Sequence, residues 1–269
     1  MRKPPDNYMM LRDAVGERRL RLVDRAYGGA SRRVLRRIGL DEGQRVVELG
    51  CGAGHMTCWL ADQVGASGRV VAVDISREQL EHARRRCAER PWVDLVAADA
   101  RDTGLAQGSF DVAFVRLLLM HLPEPERALE HCFELLRPGG VLLCEELVVS
   151  SSFCYPAQEA QGDLHRMASA MAAARGCDFD VGRRLHELLP AVGFAEVQAG
   201  AHQPTASTGE SKHIESLSFS ETLRLISDPS EAERARAICS ALTTAANDSQ
   251  VVYGQSRMVQ AWGRRPASN

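Results

Sequence analysis

The sequence predicts an α/β protein built on a mostly parallel sheet, and three observations carry that expectation. Apolar runs and amphipathic stretches alternate from residue 45 to residue 149. A glycine-rich turn, Gly50-Cys51-Gly52-Ala53-Gly54, follows directly on the run Val46-Val47-Glu48-Leu49. A second apolar run, Val70 to Val73, ends in a lone carboxylate, Asp74. A buried strand entering a tight glycine turn, with an acid at the tip of the next strand, builds a nucleotide pocket at the C-terminal edge of a parallel sheet.

Residues 9–38 read as helix, with Leu20, Val23, Tyr27, Val34 and Ile38 near one face, and Gly28-Gly29 is expected to divide the segment. Its many arginines, between positions 18 and 37, read as a solvated helix face, since no interleaved aromatics accompany them as in a nucleic-acid patch. Strands are then expected at 45–50, 69–74, 93–98, 110–116 and 140–149, and helices at 54–64, 77–89 and 124–136. Ser76 and Gln79 open the second of these helices as a capping box; Pro125 opens the third, and Pro138-Gly139-Gly140 stops it. Strands separated by single helices imply right-handed parallel crossovers.

After Ser150 the rhythm changes. One or two irregular helices are expected over 152–176, a helix at 183–191, a strand from Phe194 to Ala201, helices near 214–227 and 230–246, and a last strand near 256–263.

The chain has 269 residues, 45% hydrophobic and 25% charged, which suits one large domain. A net charge of −2 gives no global field for nucleic acid or anionic membrane. The cysteines are scattered, with no CxxC and no zinc spacing, and read as buried thiols in a reducing compartment. The polar start, Met-Arg-Lys-Pro-Pro-Asp, lacks a signal-peptide core, and no apolar run reaches a membrane span of about 20 residues. A cytoplasmic protein is expected, monomer or homodimer, with neither nucleic acid nor membrane as partner.

The glycine spacing distinguishes between nucleotides. A dinucleotide turn of GxGxxG type would place its third glycine at position 55, where this chain has His55; Gly50, Gly52 and Gly54 make GxGxG, with Glu48 two residues ahead. Glycines here reach backbone angles closed to other residues and let a ligand press on the main chain. An ordinary strand–turn–helix with packing glycines would share the glycines but not Asp74.

This combination resembles motif I of the class I S-adenosylmethionine (SAM) dependent methyltransferases. Further stretches resemble that family in order: Ala97-Ala98-Asp99-Ala100 at the end of the third strand, Ser109 to Arg116 as motif IV, and Leu135 to Leu142 as the next helix–turn–strand unit. The resemblance covers residues 8–148 densely and 180–266 loosely. It implies a Rossmann-like, seven-stranded, mostly parallel sheet in one domain: N-terminal helices (1–40), a SAM-binding core (41–150), closing sheet elements (182–202 and 255–266), and a helical lid (151–181 and 203–254). It also implies SAM as cofactor, S-adenosylhomocysteine as product and no metal. Asp74 would accept both ribose hydroxyls, and Asp99 and Ala100 would meet the adenine. Glu48, Gly50, Cys51, Gly52, Gly54 and Ile75 would line the same pocket.

A narrower likeness is to small-molecule methyltransferases of the quinone-biosynthesis and secondary-metabolite kind, through Tyr8, the stretch Arg116 to Leu122, and Glu145-Glu146. Tyr8 would close over the methionine end of SAM, or simply pack. Arg116 would bind the SAM carboxylate, line the substrate site, or form a surface ion pair. His121, just past the fourth strand, fits either a general base or a loop cap. Strand alternation lets only one of Glu145 and Glu146 face the pocket, where it would hold a substrate cation or hydroxyl; packing on a basic partner is the alternative. Among lid residues, Tyr155, His165 and His202 are candidate contacts.

Motif IV lacks the Asn/Asp-Pro-Pro-Tyr/Phe sequence of amino-methylating nucleic-acid enzymes, and no Pro-Cys nucleophile is present. The expected function is methyl transfer to O, N or C of a small natural product enclosed by the lid, by in-line displacement, in which alignment supplies most of the catalysis. The alternative is a SAM-binding protein on the same fold that does not methylate: a cyclase, lyase, pericyclase or SAM sensor.

Overall fold

The structure, a computed structural model, describes residues 14–267. Helix α1 (Ala14–Arg37) precedes the alternating core of β1 (Arg45–Leu49), α2 (His55–Val64), β2 (Arg69–Asp74), α3 (Arg77–Arg86), β3 (Val93–Ala97), β4 (Phe110–Arg116), α4 (Pro125–Leu135) and β5 (Leu136–Val148). Then come β6 (Phe153–Tyr155), α5 (Glu159–Ala173), α6 (Leu185–Val192), β7 (Ala195–His202), β8 (Thr205–Ala206), α7 (Ile214–Thr222), α8 (Pro229–Asn247), β9 (Val252–Gly254) and β10 (Arg257–Arg264).

The main sheet has seven strands in the order β3-β2-β1-β4-β5-β10-β7. Strands β1 to β5 pair in parallel, and β10 runs antiparallel to both β5 and β7. The order reverses at β1, whose neighbours are β2 and β4, so a crevice opens beyond the ends of these strands. Buried side chains cover both faces: Val47, Leu49, Ala113 and Val115 meet α4 and α6, while Val46, Val70 and Phe114 meet Leu60 and Val64 of α2.

Helix α1 is unbroken, against the expectation of a division at Gly28-Gly29. Gly28 instead makes room inside the helix. A Cβ there would stand 2.5 Å from Asp24 Oδ1, and that carboxylate holds Arg32 at 2.7 Å and Arg116 at 3.1 Å. The arginine-rich face is largely solvated, as expected, with Arg18, Arg21, Arg25, Arg33, Arg36 and Arg37 exposed and Arg19 buried. Arg18 and Arg25 pair with Glu210, and Arg36 and Arg37 lie over the rings of Trp59 and Trp262.

Strand β5 starts earlier than the expected residue 140. Leu136 already pairs with Phe110, and the register then shifts before Val141 meets Val112. The Pro-Gly-Gly turn is thus absorbed as an irregularity in the strand, with Gly139 at φ +79°. Ser76 caps α3 by accepting the Gln79 amide at 3.3 Å.

The two stretches 151–181 and 203–254 fold on each other. Leu164 of α5, Phe219 of α7 and Ala235, Ile238 and Leu242 of α8 form one apolar cluster. A small antiparallel sheet, β6-β9-β8, ties their bases together; it was not expected from the sequence. Helix α1 packs on α7 through a buried ion pair, Arg19 Nε to Glu221 at 2.9 Å. Among the described residues, no helix is long and apolar enough to cross a membrane.

Candidate functional site

A cavity of about 640 Å³ lies beyond the C-terminal ends of β1, β2, β3 and β4 and continues under α1, α5 and α7. Its first half is made by the sheet edge. Gly50, Gly52 and Gly54 all have positive φ, at 77°, 52° and 79°. The chain thereby leaves β1, turns sharply, and enters α2 with main-chain groups facing the cavity. A Cβ on Gly50 would press on the Leu118 side chain at 3.2 Å, whereas one on Gly52 would meet nothing closer than Leu20 at 3.7 Å. Gly54 serves packing: a Cβ there would lie 2.9 Å from Ala83 Cβ on α3.

Asp74 holds this turn in shape. Its Oδ2 accepts the Gly52 amide at 2.9 Å and its Oδ1 accepts the Ser76 amide at 2.8 Å. Beside it Ile75 is 43% exposed, one of few large apolar side chains left so open. Asp99, past β3, is gripped by the Arg101 guanidinium at 3.0 and 2.7 Å, which holds its carboxyl below the usual range. Ala100 and Cys51 are buried in the same wall. Glu48 is buried on β1 and accepts the Thr57 hydroxyl at 2.5 Å. Burial pushes its carboxyl up to about 8, with the Thr57 bond opposing. These residues form a glycine cradle with an acid at its lip and an apolar shelf beside it. That arrangement fits a nucleoside bearing a zwitterionic tail.

Arg116 lines the cavity but is anchored to α1, with Nη2 on Asp24 at 3.1 Å and Nη1 on Ser31 Oγ at 3.4 Å. The pair is largely enclosed rather than at the surface. Leu117, next in the chain, takes φ +55°, strained for a γ-branched side chain and located on the cavity wall. His121 also lines the wall, in a short turn over Leu119–His121, edge-on to Phe179 with ring centres 6.0 Å apart. Burial, aided by the nearby Arg19 charge, pushes its imidazole down to about 4.

The expectation for the glutamate pair needs correcting. Glu145 and Glu146 do point to opposite faces of β5, yet neither lines the cavity. Glu145 accepts Ser31 Oγ at 2.6 Å and the Gln260 amide. Glu146 accepts the Leu118 and Leu119 amides at 2.8 and 2.6 Å. The sheet is covered on both faces at this strand, so alternation chooses between two interiors rather than between core and pocket. Tyr155, His165 and His202 do not line the cavity either: Tyr155 is 73% exposed, His165 contacts Ser152 Oγ at 2.7 Å, and His202 contacts the Ala26 carbonyl at 3.2 Å. Tyr8 lies outside the described residues.

The second half of the cavity belongs to residues that no motif singles out. Val23 and Tyr27 of α1, Leu164 and Met171 of α5, and Phe219 of α7 give it an apolar wall. Arg19, Glu215 and Gln255 supply enclosed polar atoms. Helical periodicity marked Val23 and Tyr27 as inward-facing, but nothing local in the sequence separates a cavity wall from a core.

Residues 47–144 match the methyltransferase-domain family. Among curated relatives, the demethylmenaquinone methyltransferase of Staphylococcus aureus is 31% identical over 115 residues, 43% of this chain and 48% of that protein. The chain spans about half the length of the curated relatives it matches. Among solved structures, phosphoethanolamine N-methyltransferase 2 of Haemonchus contortus, in complex with phosphomonomethylethanolamine and S-adenosylhomocysteine, aligns with a TM-score of 0.57 at 17% identity, covering 88% of this chain and 52% of that one. The [4+2]-cyclase SpnF aligns with a TM-score of 0.55 at 19% identity, covering 87% and 80%. These two likenesses concern the fold. The strand order and the glycine turn agree with the match to the methyltransferase-domain family, which covers residues 47–144 of the chain.

Proposed function

We propose that this protein transfers the methyl group of SAM to an O, N or C atom of a small molecule held beneath the stretches 151–181 and 203–254, which act as a lid. One observation carries the reading: a single cavity joins the glycine turn and Asp74 to an apolar chamber roofed by α5 and α7. Its volume of about 640 Å³ suits a cofactor with a compact acceptor better than a macromolecular segment.

In this reading the main chain of Gly50, Cys51, Gly52 and Gly54 receives the amino-acid end and ribose, with Glu48 behind it. Asp74, at the end of β2 beside the glycine turn, accepts the ribose hydroxyls. Ile75 packs on the adenine, and Asp99 and Ala100 meet its edge. Arg116 is a secondary contact at most, because Asp24 already engages it. The bound sulfonium supplies an activated methyl group, so the protein's part is alignment and exclusion of water. Leu117, Leu118, Met120 and Phe179 form the dry wall along that path. His121, kept neutral by burial, offers a proton-accepting nitrogen to an acceptor that must lose a proton. The same proposal covers a natural-product acceptor, a cytoplasmic location and no nucleic-acid partner.

The test is calorimetric titration with SAM, S-adenosylhomocysteine and NAD, then incubation of the SAM-loaded protein with a metabolite extract and mass spectrometry. SAM binding, no NAD binding, and a product heavier by one methylene together with S-adenosylhomocysteine are the expected results. Product of unchanged mass without S-adenosylhomocysteine would assign the non-methylating reading, whose fold-level precedent is the cyclase likeness. Absence of SAM binding would reject both.

A further inference from the structure

The lid half of the cavity holds two buried oxygen atoms whose hydrogen-bonding capacity is left open. Glu215, in the first turn of α7, is 7% exposed, and its Oε2 accepts Gln161 Nε2 at 3.1 Å. Its Oε1 has no hydrogen-bond partner among the described residues. Gln255, just after β9, is 1% exposed. Its Nε2 donates to the Ser211 carbonyl at 2.9 Å, which fixes the amide orientation and leaves Oε1 without a partner among the described residues. Both residues line the cavity.

The Ser152 and Ser256 hydroxyls lie beside Glu215, but each has one proton and another acceptor in reach: the Val149 carbonyl for both, and His165 Nε2 for Ser152. The Tyr27 hydroxyl is spent on the Ser256 carbonyl at 2.7 Å. Arg19 is paired with Glu221 through Nε, its Nη2 being a buried donor without a partner among the described residues, and Arg116 is paired with Asp24. Lys212, on the turn that precedes α7, donates to the Ser207 and Asp248 carbonyls. Much of the remaining wall, including Val23, Leu164, Ala168, Met171, Phe179 and Phe219, is hydrocarbon or sulfur, beside the hydroxyls of Ser218 and Thr222. Buried acceptors in native structures are almost always satisfied, so two orphaned ones facing one apolar chamber mark the seat of a ligand that brings donors.

We propose that Glu215 and Gln255 anchor the acceptor, and that the chamber takes an apolar small molecule bearing a hydrogen-bond-donating group, a hydroxyl or a protonated amine. The apolar body lies against α5 and Phe179, and the donor end sits on the two oxygens. Glu215 is a positioning residue in this scheme: it orients the acceptor by one end and does not touch the methyl group. The assignment rests on the reading of the glycine-turn half as the cofactor seat, which leaves the lid half for the acceptor.

The experiment uses protein saturated with S-adenosylhomocysteine and three probes of one shape: phenethylamine, phenethyl alcohol and ethylbenzene. Calorimetry on wild type should give the better of the two donor probes an advantage of ~10-fold or more over ethylbenzene. Which of the two binds tighter identifies the donor as ammonium or hydroxyl. Glu215→Ala and Gln255→Leu should each reduce that advantage while S-adenosylhomocysteine affinity stays at the wild-type value. Equal binding of all three probes, no binding of either donor probe, or an undiminished advantage in both variants would overturn the proposal. Should a variant fail to fold, the wild-type comparison of donor probe with hydrocarbon still decides. Loss of S-adenosylhomocysteine binding in the wild type is a separate result, and it counts against the cofactor reading.

Discussion

The Leu119 amide donates to the Glu146 carboxylate at 2.6 Å, and the Leu118 amide reaches the same oxygen at 2.8 Å. One buried side chain on β5 thus holds the turn that carries His121 into the cavity wall. Removing it strands buried amides, an effect on the order of 2–4 kcal/mol. Glu146→Ala is expected to lower unfolding free energy by about that much in urea titration, and Glu146→Gln, which keeps one acceptor oxygen, by less. A Glu146→Ala protein as stable as wild type would mean the carboxylate does not organise this turn.

Asp74 joins the turn to the cofactor reading. Asp74→Ala should weaken SAM binding by roughly 2 kcal/mol, about 30-fold, by losing charge-assisted contacts and the Gly52 restraint together. Asp74→Asn should fall between. Unchanged calorimetric affinity in Asp74→Ala would remove the ribose assignment.

The neighbouring glycines should fail in different ways. Gly52 has φ +52° with open space at its Cβ position, so Gly52→Val would project its methyl groups toward the cradle and abolish SAM binding. Gly54 has φ +79° and lies against Ala83, so Gly54→Ala should cost stability, about 1–3 kcal/mol. Denaturation and SAM titration of both variants check the pair. A Gly52→Val protein that binds SAM normally would mean the turn is misassigned.

Stability should fall as pH rises from 6.5 to 8. Burial raises Glu48 to about 8 and Glu146 to about 7, from 4.5. A group raised on folding contributes fully below its unfolded value and loses that contribution as pH climbs through the folded one. His55, lowered to about 4 from 6.5 by burial, acts oppositely, losing its contribution as pH falls through that interval. Above 6.5 only the glutamates titrate in this set, each worth up to about 1.4 kcal/mol per pH unit. Glu48→Gln should flatten the slope in denaturation midpoints measured across pH 6.5–8; an identical slope would show that Glu48 is ionised in the fold.

His121 makes a kinetic prediction. As the base it should carry a rate loss of ~100-fold or more on replacement by Ala. With its imidazole near 4, the pH–rate profile should stay flat from pH 8 down to about 5. A break near 6.5 that survives in His121→Ala would place the titrating group elsewhere, and a near-normal rate would leave His121 a packing residue.

The parallel core was legible because its signals are local. An apolar run bounded by polar residues is enough to define a buried strand, and β2 and β4 occupy the expected 69–74 and 110–116. The glycine turn and Asp74 were equally legible, since positive φ and a strand-end acid are demanded by few other arrangements. The short strands β6, β8 and β9 escaped because two or three residues carry no period. The expected break in α1 failed for a reason outside the helix: Gly28 serves Asp24, which serves Arg116 on β4.

The sequence alone determined the fold class and the position of the glycine cradle, both of which depend on residues close in the chain. Tertiary structure decided the rest. It sent Glu145 and Glu146 into two interiors, brought Cys58 and Cys87 to 3.0 Å, and joined Arg19 to Glu221 across 202 positions. It also set Glu215 and Gln255 in one chamber. Such meetings are fixed by how whole helices pack, and packing depends on the summed shape of many side chains rather than on the pattern of any one segment.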